Sequence, residues 1–215
     1  MSIRILLVDD HQMMRDGLRS ILDLEDDLEV VGEAGNGYQA LELARTLRPD
    51  VVVMDIGMKD LNGIEAARQI KSRDPEAKVI ALSTYSDESY VLGMLEAGAS
   101  GYVLKDAAVE EMRRAIRAVV AGQHFLSPEI AGSVVAAHLR GLSPDRASAV
   151  TSLAPRERQI LQLLAEGHTS SEIARRLSIA TTTVDSHRRN IMKKLDLHSV
   201  AELTKFAIRE GLTSV

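Results

Sequence analysis

Residues 51–63 read VVVMDIGMKDLNG and form the most informative stretch of the chain for its fold. The stretch opens with three valines and a methionine, which is typical of a short strand buried on both faces of a sheet. This apolar run ends at a carboxylate, Asp55, and an amphipathic stretch begins at Gly63. A buried strand followed by a helix predicts one βα unit.

The same pattern recurs on both sides of this unit. Strands are predicted at residues 3–8, 28–33, 51–54, 79–83 and 102–104, and helices at residues 11–24, 37–47, 63–73, 87–97 and 107–121. Consecutive βα units predict an α/β domain with a doubly wound parallel sheet, because the crossover helices cover both faces of the sheet. We assign this (βα)5 domain to residues 1–122.

Glycine and proline interrupt the pattern in residues 123–150, which are predicted to be a linker with a short helix at 130–139 and a turn at 143–145. Beyond residue 151 only helical patterns remain, at residues 155–166, 170–177, 181–195 and 200–210. We therefore expect an all-α domain of four helices in residues 151–215.

The charge of the chain is distributed unevenly between these two predicted domains. Residues 1–122 contain 14 basic and 22 acidic residues, a net charge of −8, whereas residues 151–215 contain 10 basic and 7 acidic residues, a net charge of +3. A basic carboxy-terminal domain favours a polyanionic partner for that domain alone.

The composition excludes several classes of protein. The 215-residue chain contains no cysteine, so disulfides, thiolate zinc sites and cysteine nucleophiles are excluded. No apolar run approaches the roughly 18 residues of a membrane span. The amino terminus lacks the basic start and long apolar core of a signal peptide. We expect a cytoplasmic protein without a membrane partner.

Polar side chains follow the predicted strands at the edge where parallel α/β sheets bind ligands. In strand order these residues are Asp9 and Asp10, Asp55, Ser83 and Thr84, and Lys105. Three carboxylates in one crevice repel each other unless a cation neutralises them, and Mg²⁺ prefers hard oxygen ligands. A lysine adds a positive charge suited to a phosphoryl group. The set predicts a metal-assisted phosphoryl site with an aspartate as the nucleophile.

These residues resemble, in their order and spacing, the receiver domains of response regulators in two-component signalling. The motifs are Asp9-Asp10, the run from Asp55 to Met58 with Gly63 following, Ser83, and the run from Tyr102 to Lys105. The resemblance covers residues 3–121. It implies that a sensor histidine kinase transfers a phosphoryl group to Asp55, and that the chain is a regulator and not an enzyme.

The resemblance also implies roles for the other residues of the site. The ligands of Mg²⁺ would be Asp9, Asp10, Asp55 and the main-chain carbonyl of Gly57. Lys105 would pair with the phosphoryl oxygens, and the Ser83 hydroxyl would donate a hydrogen bond to one of them. Tyr102 would turn inward when Ser83 moves, and so report phosphorylation to the neighbouring surface. Thr84 is the alternative to Ser83.

One residue in this region departs from the receiver pattern. Lys59 stands where the family usually has proline, so we expect a less rigid loop after Asp55 that carries an extra positive charge. The lifetime of the phosphoryl bond or the surface offered to a kinase would then change.

The carboxy-terminal helices carry a second set of motifs. Thr169 and Glu172 have the spacing of a capping box, and a short turn separates their helix from one with a basic face. Two short helices joined by a turn are typical of a major-groove reader. Residues 151–212 resemble the LuxR-type helix-turn-helix in their Pro-Arg-Glu, Ser-Glu-Ile-Ala and Thr-Val-x-x-His motifs. Joined to the receiver pattern, the chain resembles the NarL/FixJ family throughout.

This resemblance implies contacts with double-stranded DNA along the helix at residues 181–195. Base edges would be faced by Asp185, Ser186 and Arg189, and phosphates by Arg188, Lys193 and Lys194. The acid at position 185 departs from the lysine that is frequent there. Its carboxylate can accept a hydrogen bond from cytosine N4, but it repels phosphates.

Two capping positions and one apolar stripe complete the pattern. Ala154 and Ala180 stand where Ser or Thr usually caps a helix, which costs roughly 1 kcal/mol for each helix unless Thr181 replaces the second cap. The last helix has an apolar stripe that consists of Leu203, Phe206, Ala207 and Ile208. Such a stripe is ordinarily core; the family resemblance suggests instead a homodimer contact on paired half-sites.

Two other classes of function stay open at the level of the sequence. A phosphoaspartate phosphatase also needs clustered carboxylates and Mg²⁺, but such folds commonly show Asp-x-Asp after the first strand, and this chain has Asp9-Asp10. The helical domain of a phosphorylation-controlled regulator could instead bind protein or RNA. The basic face of the helix at 181–195 favours nucleic acid.

Overall fold

The computed structural model describes residues 2–107, 109–139 and 152–213. The chain divides into two compact units, Met1–Arg140 (unit 1) and Gly141–Val215 (unit 2). The turn predicted at residues 143–145 lies outside the described residues. The domain limits drawn from the sequence, 1–122, 123–150 and 151–215, stay predictions.

Unit 1 is built on a six-stranded parallel sheet. Its strands are β1 (Ile3–Val8), β2 (Leu28–Ala34), β3 (Val51–Asp55), β4 (Lys78–Ser83), β5 (Gly101–Leu104) and β6 (Phe125–Leu126). The helices are α1 (Gln12–Leu22), α2 (Gly37–Leu47), α3 (Gly63–Arg73), α4 (Glu88–Glu96), α5 (Val109–Val120) and α6 (Pro128–Leu139). The strand order is β2-β1-β3-β4-β5-β6, and every pair is parallel. The predicted doubly wound α/β class is confirmed.

The helices of unit 1 pack on both faces of the sheet. Leu22 of α1 and Ile116 of α5 belong to one core, whereas residues of α2, α3 and α4 belong to the other. Along β3, Val51 and Val53 face the first core, and Val52 and Met54 face the second. Alternate side chains of a strand point to opposite faces, so a strand covered on both faces must be apolar throughout.

The strand order reverses next to β1, and this reversal opens a crevice for the site. The chain runs from β1 outward to β2 and then returns to place β3 on the other side of β1. At such a switch point the loops that follow neighbouring strands diverge and leave a crevice at the carboxyl edge. Gly63 fits there because a Cβ atom would come within 2.0 Å of the Asp55 carbonyl oxygen.

The sixth strand and α6 lie in the segment that the sequence analysis assigned to a linker. Residues Phe125–Leu126 pair with β5, and Ile130 of α6 is fully buried in the core that contains α4. A run of two strand residues is too short to show a period of two, so no strand could be predicted there. The helix predicted at 130–139 begins two residues earlier, at Pro128.

Ser127 joins this segment to the neighbouring elements. Its side chain is fully buried, its hydroxyl donates to the Glu111 carboxylate, and the Leu104 amide donates to the Ser127 oxygen at 3.3 Å. The Ser127 amide donates in turn to the Tyr102 carbonyl, at 2.9 Å. One buried residue therefore ties β5 and α5 to the start of α6.

Unit 2 contains four described helices around one core. They are α7 (Pro155–Ala165), α8 (Ser170–Arg176), α9 (Thr181–Leu195) and α10 (Val200–Arg209), close to the four predicted ranges. Ile160, Ile173, Val184 and Leu203 contribute one fully buried side chain from each helix. The predicted all-α helix-turn-helix class is confirmed. Among the described residues, no helix is long and apolar enough to cross a membrane.

We predict that Ser127→Ala destabilises unit 1 by about 1–3 kcal/mol, because the Leu104 amide and the Glu111 carboxylate both lose a buried partner. Urea unfolding followed by tyrosine fluorescence measures this loss, since the chain has no tryptophan and its four tyrosines all lie in unit 1. Ser72→Ala is the matched control, because that exposed hydroxyl bonds only a carbonyl of its own helix. Equal urea midpoints for the two variants would contradict the role of Ser127.

Candidate phosphoryl site and helix-turn-helix surface

Three carboxylates meet in the crevice at the carboxyl edge of the sheet; we call Asp9, Asp10 and Asp55 the carboxylate cluster. Asp9 directly follows β1, and Asp55 is the last residue of β3. One oxygen of each of the three, together with a ring nitrogen of His11, lies within 4.8 Å of the others. Asp9 is 1% exposed and Asp55 3% exposed, so little water is present to weaken their repulsion.

Among the described residues, Lys105 provides the only side-chain ammonium in contact with the carboxylate cluster. Its Nζ atom lies 2.7 Å from Asp9 Oδ2 and 3.0 Å from Asp55 Oδ1. Burial raises the pKa of the Asp55 carboxyl and the Asp9 charge raises it further, which Lys105 offsets only in part. Burial alone would lower the pKa of Lys105, but the two carboxylates outweigh it and raise that pKa. Lys105 is therefore charged at neutral pH.

The remaining oxygens of the cluster fit a metal ion. Asp9 Oδ2 and Asp10 Oδ1 are buried atoms, and the contacts described for them are ion pairs with the Lys105 ammonium at 2.7 Å and with His11 Nδ1 at 2.8 Å. One ammonium cannot neutralise three carboxylates, and a set of carboxylate oxygens of this kind suits Mg²⁺. The residues present thus match the cation that the sequence predicts.

Two side chains near the cluster were missed by the sequence analysis. The His11 amide donates to Asp9 Oδ1 at 2.9 Å, and the His11 Nδ1 atom lies 2.8 Å from Asp10 Oδ1. Arg15, one turn further along α1, donates to the Asp9 carbonyl. The position of His11 directly after two acids was a usable signal, whereas the contact of Arg15 depends on how α1 packs.

The loop after Asp55 is held by its own backbone. The Gly57 amide donates to Asp55 Oδ1 at 3.4 Å. The role of the Gly57 carbonyl as a Mg²⁺ ligand stays a prediction. Lys59 is exposed, and its carbonyl accepts the Leu61 amide at 2.8 Å. Asp60 has a φ of 66°, in the left-handed region. The effect of Lys59 on phosphorylation stays a prediction.

The fourth and fifth strands contribute a buried hydroxyl pair. Ser83 is fully buried and its Oγ atom accepts the Tyr85 amide at 3.0 Å, whereas Thr84 is exposed. Tyr102 is fully buried as well, and its hydroxyl donates to the Tyr85 carbonyl at 2.7 Å. Burial raises the pKa of Tyr102 far above its ordinary value. Tyr102 already lies inward here, whereas we expected the inward turn only after phosphorylation; the Tyr85 carbonyl satisfies its buried hydroxyl.

The helix-turn-helix surface consists of α8, the turn at residues 177–180, and α9. Thr169 and Glu172 close both hydrogen bonds of the predicted capping box at the start of α8. On α9, Ser186, Arg189 and Lys193 are exposed. The Arg189 guanidinium donates to Ser186 Oγ at 3.2 Å, so these two side chains lie side by side.

Three of the predicted DNA-contact residues have partners or burial inside unit 2. The Lys194 ammonium donates to Glu157 Oε2 at 2.6 Å, and Asp185 Oδ1 accepts the Ser170 hydroxyl at 2.8 Å. Arg188 is half-buried, and its Nε atom is buried without a hydrogen-bond partner. Asp185 and Arg188 are half-buried, whereas Lys194 is exposed and pairs with Glu157.

Glu157 replaces part of the cap that Ala154 lacks. Ala154 has no side-chain acceptor, but its amide donates to Glu157 Oε2 at 2.8 Å, so the Glu half of a capping box is present. Burial alone would raise the pKa of Glu157. Lys194, the Ala154 amide and nearby His187 outweigh burial and hold that pKa below its usual value. Ala180 precedes α9 without a side-chain cap.

The apolar stripe of α10 packs inside unit 2. Leu203 and Ala207 are fully buried and Phe206 is 7% exposed, all three within the core shared with α7. The expectation of a dimer contact through these three side chains is therefore wrong, because folding already buries them inside unit 2. Val200, 44% exposed, lies at the start of the same helix.

The fold of unit 1 and its carboxylate cluster define a receiver, and the comparisons with known families agree. The model of the response regulator receiver domain matches residues 5–117, and that of bacterial regulatory proteins of the luxR family matches residues 151–207. The chain therefore belongs to the response regulators, with a receiver domain followed by a LuxR-type DNA-binding domain.

Relatives of known name span nearly the whole chain. It is 41% identical over 212 residues to the transcriptional regulatory protein LiaR of Bacillus subtilis, covering 99% of this chain and 100% of that protein. It is 38% identical over 208 residues to the nitrate/nitrite response regulator protein NarL of Escherichia coli K12, covering 97% and 96%. The solved response regulator ChrA of a heme-sensing two-component system is 37% identical, with 98% of both chains covered and a TM-score of 0.54.

We predict that Lys194→Ala destabilises unit 2 by about 1 kcal/mol at pH 7, a modest value because the ammonium is partly exposed. The pKa of Glu157 is lowered by folding, so the pair stabilises unit 2 above the pKa of an unfolded glutamate, about 4.3, and the stabilisation is lost as the pH falls through the lower folded value. Amide hydrogen exchange in α7 and α9 between pH 7 and pH 3 measures the loss.

Lys193→Ala is the matched control for this variant, because Lys193 is the exposed neighbour on the same helix. It should leave the exchange rates of α7 unchanged at every pH. An effect of Lys194→Ala equal to that of Lys193→Ala at pH 7 would show that the Glu157 contact contributes nothing.

Proposed function

We propose that the chain is a transcriptional regulator whose receiver accepts a phosphoryl group on Asp55 from a sensor histidine kinase and thereby controls DNA binding by unit 2. The observation that carries this proposal is the position of Lys105 Nζ, which lies 3.0 Å from Asp55 Oδ1 and 2.7 Å from Asp9 Oδ2. A buried ammonium beside a carboxylate provides the positive charge that a transferred phosphoryl group requires.

In this proposal Mg²⁺ would be held by Asp9, Asp10, Asp55 and the carbonyl of Gly57. The ion would neutralise charge on the phosphoryl oxygens. Asp55 presents a carboxylate oxygen as the nucleophile. Lys105 pairs with the transferred group, because its ammonium is already in contact with Asp55. Arg15 and His11 keep Asp9 in place through its carbonyl and its carboxylate.

Phosphorylation reaches the surface through Ser83 and Tyr102 in this proposal. The added group carries roughly −1.5 to −2 charges and accepts hydrogen bonds strongly, so the Ser83 hydroxyl turns toward it and weakens its contact with the Tyr85 amide. Tyr102 is bonded to the carbonyl of the same Tyr85, so the loop before α4 moves with it. A shift from 1:99 to 99:1 between two states needs about 5.5 kcal/mol.

The exposed side of α9 carries the DNA contacts in this proposal. Ser186 and Arg189 face base edges, and an arginine in the major groove pairs best with guanine. Phosphates are contacted by Arg188, Lys193 and Lys194. The luxR-family match and the net charge of +3 in residues 151–215 support DNA over protein or RNA as the partner. The relatives LiaR, a transcriptional regulatory protein, and NarL, a response regulator, support a regulator over a phosphatase.

Two further parts of the proposal concern assembly and location. Two copies bind paired half-sites, as is usual for helix-turn-helix proteins, and a contact between them through α10 would use its exposed side, where Val200 lies. The regulator acts in the cytoplasm, where the DNA and the transmitter domains of sensor kinases are accessible. The absence of cysteine agrees with a reducing compartment.

We predict that Asp55→Asn removes acid-labile phosphate and abolishes the response of DNA binding to a small-molecule phosphodonor with Mg²⁺. The amide keeps the shape of the side chain but lacks the anionic oxygen that attacks phosphorus. The measurement is phosphate incorporation together with selection of duplexes from a random pool at low salt. Each protein is assayed with and without the phosphodonor.

Asp26→Asn is the matched control, because Asp26 is an exposed aspartate just before β2, at the opposite edge of the sheet. It should behave as the wild type. If Asp55→Asn still acquires phosphate, Asp55 is not the acceptor. If the wild type selects no duplex under any condition, unit 2 does not bind DNA as proposed.

A further inference from the structure

Asp185 on α9 is bonded to α8, although the sequence placed it among residues that face base edges. Its Oδ1 atom accepts a hydrogen bond from the Ser170 hydroxyl at 2.8 Å, and the Asp185 side chain is half-buried. Ser170 is the first residue of α8, and Asp185 lies in the second turn of α9. The bond therefore joins the two helices whose relative angle sets the shape of the DNA-contacting surface.

The next residue along α9 points in a different direction. Successive side chains of a helix are about 100° apart, because a turn contains 3.6 residues. Ser186 is exposed, its hydroxyl donates to the Thr182 carbonyl at 2.9 Å, and it accepts from Arg189 at 3.2 Å. Ser186 and Arg189 thus share an exposed stripe, whereas the Asp185 carboxylate is turned toward Ser170.

The charge of Asp185 also argues against a position in the groove. A free carboxylate on a DNA-contacting helix is repelled by phosphates, and base-edge contact would require it to leave Ser170. A hydrogen bond between a hydroxyl and a carboxylate is charge-assisted and short, and it holds the acid in one orientation. Ile173 and Ala174 of α8 and Val184 of α9 also belong to one buried core.

We infer that Asp185 is a positioning residue that fixes α8 against α9 through Ser170, and that base discrimination by this helix rests on Ser186 and Arg189. The inference rests on the proposed DNA-binding function and refines which residues determine its specificity. It assigns Ser170, which the sequence analysis did not single out, the second half of the same contact.

The test uses the full chain with four single variants and one double variant: Ser170→Ala, Ser170→Thr, Asp185→Ala, Asp185→Asn and the double alanine variant. Arg189→Ala serves as the reference for a base-reading residue. Dissociation constants are measured by fluorescence anisotropy at one fixed salt concentration. The DNA panel is the selected duplex and its derivatives with one base pair changed at each position.

We expect Ser170→Ala to weaken binding about fivefold to tenfold on every duplex, because one charge-assisted hydrogen bond is lost. Ser170→Thr keeps the hydroxyl and should restore wild-type affinity. Asp185→Asn keeps an acceptor for Ser170 and removes the repulsion, so it should bind at least as tightly as the wild type with the same base preference. Asp185→Ala should bind more weakly than Asp185→Asn. Ser170→Ala should add nothing to Asp185→Ala.

The inference is overturned if Asp185→Asn relaxes the preference at one base pair, as Arg189→Ala should, or if the effects of Ser170→Ala and Asp185→Ala add. A second readout without DNA separates this inference from the proposed function. The same double-variant cycle is repeated on amide exchange in α8 and α9. If the cycle shows coupling but the wild type binds no duplex, only the proposed DNA binding is contradicted. If the cycle shows zero coupling, the Asp185–Ser170 contact is contradicted.

Discussion

Repulsion among Asp9, Asp10 and Asp55 is the interaction on which the arrangement of unit 1 depends. The order of the strands brings these three acids into one crevice, and the burial of Asp9 and Asp55 leaves little solvent to screen those two. Lys105 neutralises part of that charge, and the acidic cluster is compatible with a Mg²⁺ ion that would neutralise the rest. A phosphoryl group added at Asp55, as proposed, would change the balance of charge around the Lys105 ammonium.

The strand β5, which directly precedes Lys105, also connects the site to the end of unit 1. β5 carries Tyr102 inward to the loop before α4, and the Leu104 and Tyr102 backbones bond to Ser127 at the start of α6. In unit 2 one side chain likewise makes two contacts, because Glu157 both closes the first turn of α7 and pairs with Lys194 of α9. In each unit, residues that hold helices together lie beside those proposed to act, so side-chain chemistry alone does not distinguish the two roles.

The sequence predicted what depends on periodicity and on strand ends. Apolar runs marked the first five strands, and the acids after β1 and β3 marked the crevice, because parallel topology brings strand ends together whatever the side-chain details. It missed β6, a strand of two residues, and it could not show that Lys194 pairs with Glu157, which lies 37 residues earlier. The α10 stripe was ambiguous for a related reason: the pattern shows that one face is apolar, and packing determines what covers it.

The most direct test of this account is the position of a bound divalent ion. Mn²⁺ replaces Mg²⁺ at oxygen sites and broadens nuclear magnetic resonance signals of nearby amides, so a titration of the isotope-labelled chain locates the site without any phosphoryl transfer. The account predicts that the amides of Asp10, Asp55, Gly57 and Lys105 broaden first and together, and that excess Mg²⁺ restores them. Broadening that begins elsewhere, or that spreads over exposed acids without preference for these four, would contradict it.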